Sequence, residues 1–264
     1  MAAFGDRALA GLAFRYVFLD AAYRKARVNH RVVSQAVVVA TGVAAGGHRE
    51  VLGFDVGDSK DGAFWTAFPR SLKARGLAGV QLVISDARTG LKAAIASVLL
   101  GAARQRCRAH FPGKVLAQVP KGSAEMVAAA IRAIFAQPGP DGVREQPGII
   151  AGMLGRQFPK VETMLRDAAD AITALAAFPV LHWKKIWSTN PLERLNKEIK
   201  RRTDVAGVFP NPQALLRLAG SVLAEAHDQW QAGERRYLSD GSMTLLATPP
   251  ANPTEVATPA LLTA

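Results

Sequence analysis

The hydrophobic pattern changes period along the N-terminal part of the chain. Tyr16–Leu19 ("YVFL") is an unbroken apolar run stopped by Asp20, and such runs read as buried strands. "RVVSQAVVVATGVAA" is rich in β-branched residues and ends in Gly46-Gly47, a turn signal before "REVLGFDVG". Together these segments predict an antiparallel three-strand meander. The period then becomes helical from Ala63 to Arg75, with Phe64, Ala67, Phe68 and Leu72 on one face and Gly76 closing the segment. Pro69 is expected to kink or shorten that helix. "VQLVISDARTGLKAAIASVL" runs from strand to helix with Asp86 at the junction.

Arg104–Phe111 ("RQRCRAHF") reads as one more strand or an edge segment. From Lys114 to Phe178 the chain is Ala-rich with helical spacing, broken at Pro138-Gly139-Pro140, Pro147-Gly148 and Pro159, which predicts a block of three or four helices. Further helices are expected over Pro191–Arg202 and Gln213–Arg236, and the uncharged Ala/Thr/Pro-rich stretch beyond Met243 reads as a disordered tail. A meander followed by a helix and a strand-helix unit fits an α/β class that includes the RNase H-like mixed sheet.

Chemistry enters where acids meet strand ends. Asp20 closes the first strand and Asp86 the fourth, and ligands of open α/β sheets gather outside the carboxyl ends of strands. Carboxylates converging there suit Mg2+, a hard ion that takes oxygen ligands. Two such ions about 4 Å apart can serve phosphodiester cleavage. Asp86 has a second reading as a cap or turn residue of the helix behind it. Glu193 has one too: in "TNPLE", Asn190 fits an N-cap, Pro191 the first helical position and Glu193 the acid of a capping box. Trp183 and Trp187 suit either core packing or stacking on a base, and Trp230 reads as core.

Composition narrows the partners. The 264 residues carry 33 Lys+Arg against 21 Asp+Glu, a net charge of +12 and a pI near 10.3, which favours a polyanionic partner such as nucleic acid. At 49% hydrophobic content the chain can bury a sizeable core. Cys107 is the sole cysteine, which excludes an internal disulfide and suits a reducing cytoplasm. No run of about 18 apolar residues predicts a membrane span, and the N-terminus does not read as a signal peptide.

The segments "FLDAAY", "LVISDA", "QRCRAHF", "KIWSTNPLERLNKEIKRRTDV" and "FPNPQALLRLAGSVLAEAHDQW" closely resemble the bacterial Mutator-type insertion-sequence transposases of the DDE class. The resemblance implies an RNase H-like catalytic core with flanking helices, interrupted by an all-helical insertion. It divides the chain into a first core part (1–111), the insertion (112–182), C-terminal helices completing the core (183–243) and the tail (244–264). It further implies metal-dependent DNA cleavage and strand transfer with Mg2+ or Mn2+, using Asp20, Asp86 and Glu193 as catalytic and metal-holding acids. Cys107 and His110 match the family's C-x-x-H pair and are expected to support the site's fold, one Cys and one His being too few for a structural zinc site. Arg194, Lys197, Lys200 and Arg201 are expected to face DNA phosphates, Lys200 lying two turns beyond Glu193 on the same face; a solvated basic face is the other reading.

The expected partners are transposon-end and target DNA, in a homodimer or higher oligomer associated with the nucleoid. Departures from the family pattern include Arg88 where a His is usual, Arg104 where a Trp is usual, and Pro112-Gly113 at an expected helix start. Relative to the family pattern the chain also reads as N-terminally truncated, without a helix-turn-helix region. Two readings therefore stand: a DDE catalytic domain, or a non-catalytic DNA-binding remnant.

Overall fold

The computed structural model describes residues 2–87, 89–234 and 236–246. Its strands are β1 Phe14–Val28, β2 Arg31–Ala44, β3 Arg49–Asp58, β4 Leu82–Ser85 and β5 Ala103–Arg106. They form one sheet in the order β3-β2-β1-β4-β5. β1 pairs antiparallel with β2 and β2 with β3, whereas β4 and β5 run parallel to β1. The meander and the later parallel strands are thus one mixed sheet.

The first strand does not end at Asp20 but runs on to Val28, paired with β2 as far as Val28 against Arg31. Asn29 and His30 make the two-residue loop at φ of 49° and 63°, the positive values that match a hairpin's twist. Arg24, Lys25 and Arg27 masked this extension in the sequence, because backbone pairing rather than apolar burial holds the distal ribbon.

The helices are α1 Ala2–Gly5, α2 Gly62–Ala74, α3 Thr89–Val98, α4 His110–Leu116, α5 Ala124–Ile134, α6 Pro140–Gly155, α7 Pro159–Thr173, α8 Val180–Ile186, α9 Asn190–Thr203, α10 Pro212–Ala232 and α11 Asp240–Met243. Three prolines expected to interrupt helices do not. Pro69 lies inside α2 and Pro147 inside α6, both buried on the packed face of their helix, so core packing there outweighs the lost hydrogen bond. Pro112 is third in α4, in the first turn, where no N–H has an intrahelical partner to lose. The end of the chain folds back further than the expected tail: Thr244–Leu246 form a 3-10 turn with Leu246 buried, and the remainder of that tail lies outside the described residues, as does Arg88.

Alternation along β1 and β2 supplies both faces of the sheet with apolar side chains. Val17, Leu19, Val38 and Ala40 pack with Trp65, Phe68 and Leu72 of α2 and with Leu91 and Ile95 of α3. On the opposite face, Tyr16, Phe18, Val37 and Val39 meet a larger core that includes Phe111, Leu165, Ile186, Leu192 and Leu223. Tyr16 anchors that face, its hydroxyl 2.7 Å from Nδ1 of the buried His182. Burial raises the Tyr16 phenol pKa and lowers that of His182, so the pair is a neutral hydrogen bond. Tyr16→Phe leaves Nδ1 of His182 without this partner, and about 1–3 kcal/mol of stability should be lost. Urea denaturation checks this as a lower midpoint at unchanged slope.

Candidate active site

The site starts where the parallel ladder stops. β4 pairs with β1 only over Leu82–Ser85 against Tyr16–Leu19, and the next residue on each chain is an acid, Asp86 and Asp20. Neighbouring strands lie about 4.8 Å apart, so the two acids sit side by side at the end of the ladder. Both are nearly inaccessible, at 6% for Asp20 and 8% for Asp86. Asp20 shares the sheet face of Tyr16 and Phe18 by alternation, which directs it toward α9. There its Oδ2 accepts a 2.8 Å hydrogen bond from Asn196 Nδ2. Oδ1 of Asp86 accepts from the Ala87 N–H at 2.7 Å and lies 3.3 Å from Lys114 Nζ on α4.

Glu193 arrives on α9, and the capping box expected for it does not form. The N-cap is Thr189, not Asn190, and it makes no side-chain capping bond. Its N–H and hydroxyl both point at the Cys107 sulfur, at 3.4 and 3.3 Å. Asn190 becomes the first helical residue, and Glu193 moves one position further in than the box requires. The Glu193 carboxylate is thereby left facing His110, with Oε1 3.8 Å from Nε2.

Glu193 and Asn196 share a face of α9, being three residues apart. Further along that face Thr203 Oγ1 accepts from Arg24 Nε at 2.6 Å, so α9 is tied to β1 at Asp20 and again at Arg24. After the helix, Phe209 bonds across β1, donating to Lys25 O and accepting from the Arg27 N–H, both at 2.9 Å. Lys200 lies between these ties and is exposed.

Cys107 follows β5 and its N–H bonds Ser85 O at 2.9 Å, which fixes the buried thiol beside the end of β4. One ligand atom each from Cys107, His110 and Glu193 lies within 4.8 Å of the others, a grouping able to hold a metal ion. The third ligand is what sequence spacing could not supply, and with sulfur and imidazole this set is softer than the three carboxylates. Electrostatics converge on His110. The Cys107 sulfur, then Asp86 and Asp20, raise its pKa to about 9 against an opposing effect of burial. Burial alone would raise Cys107, but His110 and Thr189 outweigh it and bring the thiol down. Burial likewise opposes ionisation of Asp86, yet the Ala87 N–H, Lys114 and His110 hold it below the usual carboxylate range.

Of the basic residues, Arg194, Lys197 and Lys200 are exposed and make no ion pair among the described residues. Arg201 is engaged by Glu198 through two hydrogen bonds at 2.9 and 2.7 Å. Trp183 is core, its Nε1 donating to Phe178 O at 2.9 Å. Trp187 is half-buried under the Arg108 guanidinium, and Trp230, expected in the core, is half-buried under that of Arg49. Sequence reading missed Asn196, Lys114 and Thr189; the first two were findable as the residues one helical turn beyond Glu193 and His110.

Residues 1–233 match the family described as Transposase, Mutator family. The chain belongs to that family. It is 45% identical over 236 residues to the transposase for insertion sequence element IS1081 of Mycobacterium tuberculosis, covering 89% of this chain and 57% of that protein. The transposase for IS406 of Burkholderia multivorans is 40% identical over 220 residues, 83% of this chain and 57% of that protein. The transposase for IS256 in transposon Tn4001 of Staphylococcus aureus is 32% identical over 236 residues, 89% and 60%. The chain thus spans less than two thirds of the length of these curated relatives. No helix among the described residues is long and apolar enough to cross a membrane.

In this Mutator-family chain, free of metal, the His110 ring should titrate near 9 instead of its ordinary 6.5. Because the folded value is raised, the stabilisation is complete below about 6.5 and is lost as pH rises through about 9. NMR titration of the ring reads this directly, and Cys107→Ala should move the midpoint down. A wild-type midpoint at 6.5 would refute the arrangement.

Proposed function

We propose that this chain is the catalytic part of an insertion-sequence transposase, cleaving DNA at transposon ends and joining it to target DNA. Asp20, Asp86 and Glu193 are its catalytic, metal-holding acids. The carrying observation is that Asp20 and Asp86 end one ladder side by side, while Asn196, one turn from Glu193, bonds Asp20. The sheet order, with three antiparallel strands and two parallel ones, supports an RNase H-like core. The all-helical stretch between β5 and α9 supports reading 112–182 as its insertion, followed by the completing helices of 183–243.

Asp20 and Asp86 stand side by side at the strand ends, and Glu193 reaches His110, which with Lys114 supplies positive charge there. The hard carboxylate oxygens suit Mg2+ or Mn2+, whereas the ligand atoms that already lie within 4.8 Å of one another are those of Cys107, His110 and Glu193. Such ions, when bound, would help activate water and stabilise the leaving oxygen of a phosphodiester. Asn196 orients Asp20 by donating to one of its carboxylate oxygens. Lys114 does the same for Asp86 and keeps it ionised. Arg194, Lys197 and Lys200 meet backbone phosphates, a salt-sensitive and sequence-independent attraction. The reading extends to a homodimer or higher oligomer working on the nucleoid.

The test is cleavage of a duplex carrying insertion-sequence ends, with Mg2+ or Mn2+. Asp20→Asn and Glu193→Gln should bring activity down to the level seen without metal. Asn196→Ala, which removes a group that positions Asp20, should cost about 10–100-fold. Wild-type cleavage no greater than that of Asp20→Asn defeats the proposal. The rival reading, a chain that only occupies DNA, predicts duplex binding indifferent to both metal and Asp20→Asn.

A further inference from the structure

The flank of α9 turned away from Asp20 lines a cavity of about 530 Å3 between α8, α9 and α10. Asn190, Arg194, Glu198 and Arg202 line it at four-residue steps, a face rotated from that of Glu193 and Asn196. Five cations line it, Arg49, Lys184, Lys185, Arg194 and Arg202, against two acids, Glu198 and Glu225. Arg202 bonds both acids, at 2.8 and 2.9 Å. The other four cations make no ion pair among the described residues.

Arg49 is the most telling. Its guanidinium lies 3.6 Å from the centroid of the Trp230 ring and 5.1 Å from that of Tyr237, and its side chain donates no hydrogen bond to the described protein. Burial lowers its pKa to about 10, so it stays charged at neutral pH. A half-buried, charged guanidinium with unused donors beside open space calls for an anion. The N-terminal residues of α9, Asn190 and Pro191, line the same space, and a helix start favours negative charge. Trp187, Trp230 and Tyr237 add flat apolar walls, as found where nucleotides are held without base readout.

We propose that this cavity is a second nucleic-acid subsite, which takes one unpaired nucleotide of a DNA strand, its phosphate on Arg49 and Arg194. The volume falls within the range of small-ligand sites and admits a single nucleotide, but not a stacked base pair with both its backbones. Lys184 and Lys185 at the rim receive the adjoining phosphate. A strand leaving the three acids would cross the start of α9 to reach it. This rests on the DNA-acting reading but does not require the acids to be catalytic.

The experiment measures binding of a short 5′-phosphorylated oligothymidylate to the full chain without metal, by fluorescence anisotropy and by quenching of tryptophan emission. Arg49→Gln and the pair Lys184→Gln with Lys185→Gln should each weaken binding roughly tenfold, the scale of one charge-assisted hydrogen bond. Each should flatten the dependence on salt by about 0.7 for every phosphate the variant no longer holds, whereas Lys92→Gln, at an exposed position of α3, changes neither. Arg49→Lys, which keeps the charge, covers the case in which Arg49→Gln disturbs folding, and should retain most of the affinity. Equal weakening in Lys92→Gln, equally tight binding of inorganic phosphate, or duplex bound through these residues in preference to single strand would each overturn the proposal. If cleavage fails but cavity-dependent binding persists, only the catalytic reading falls; if cleavage succeeds and the cavity variants bind normally, only this one falls.

Discussion

The parallel pairing of β1 with β4 is short, and the candidate site depends on where it stops. Four residue pairs hold the strands together, and beyond them β1 continues while β4 ends. Asp20 stays paired with Val39 of β2, while Asp86 has left the ladder. The two carboxylates stand at this step in the sheet, both buried, with Asn196 of α9 on Asp20 and Lys114 of α4 on Asp86. Everything else near the site serves to fill that step: Asn196 and Thr203 tie α9 against β1, Phe209 covers the edge further on, and Lys114 reaches Asp86 from α4.

The second constraint is the sulfur of Cys107. By taking both the N–H and the hydroxyl of Thr189, it holds Thr189 as the N-cap of α9, which puts Glu193 one position too far in for a capping box. A buried thiol thus decides which way a carboxylate points, a link invisible in a sequence where the two residues that meet, Cys107 and Thr189, are 82 positions apart. The same arrangement leaves His110 beside Glu193, where the charges of Asp86 and Asp20 help to raise its pKa.

Much of the fold was legible from the chain, and the failures have physical causes. The meander, the strand-to-helix unit at Asp86 and the long C-terminal helices follow from periodicities that survive in the structure. The distal half of β1 was hidden because Arg24, Lys25 and Arg27 carry no apolar alternation; hydrogen bonds to β2 hold it. Pro69 and Pro147 misled because propensity is local while packing is not, and Pro112 because the helix begins two residues before it. The acids were visible as strand-end residues, but their partners depend on the meeting of distant segments. Spacing suggested Asn190 as the cap of α9, and only the position of Cys107 reveals that Thr189 has taken that place.

The two flanks of α9 also say how change could accumulate in such a chain. Glu193 and Arg194 are adjacent in sequence yet answer to different surroundings, whereas Glu193 and Asn196 share the flank that meets His110 and Asp20, and Arg194 and Glu198 line the same cavity. Drift at one residue therefore relaxes selection on positions three or four away, not on its immediate neighbours. In a decaying copy, damage would be inherited by helical turn, and one flank could erode while the other stayed whole.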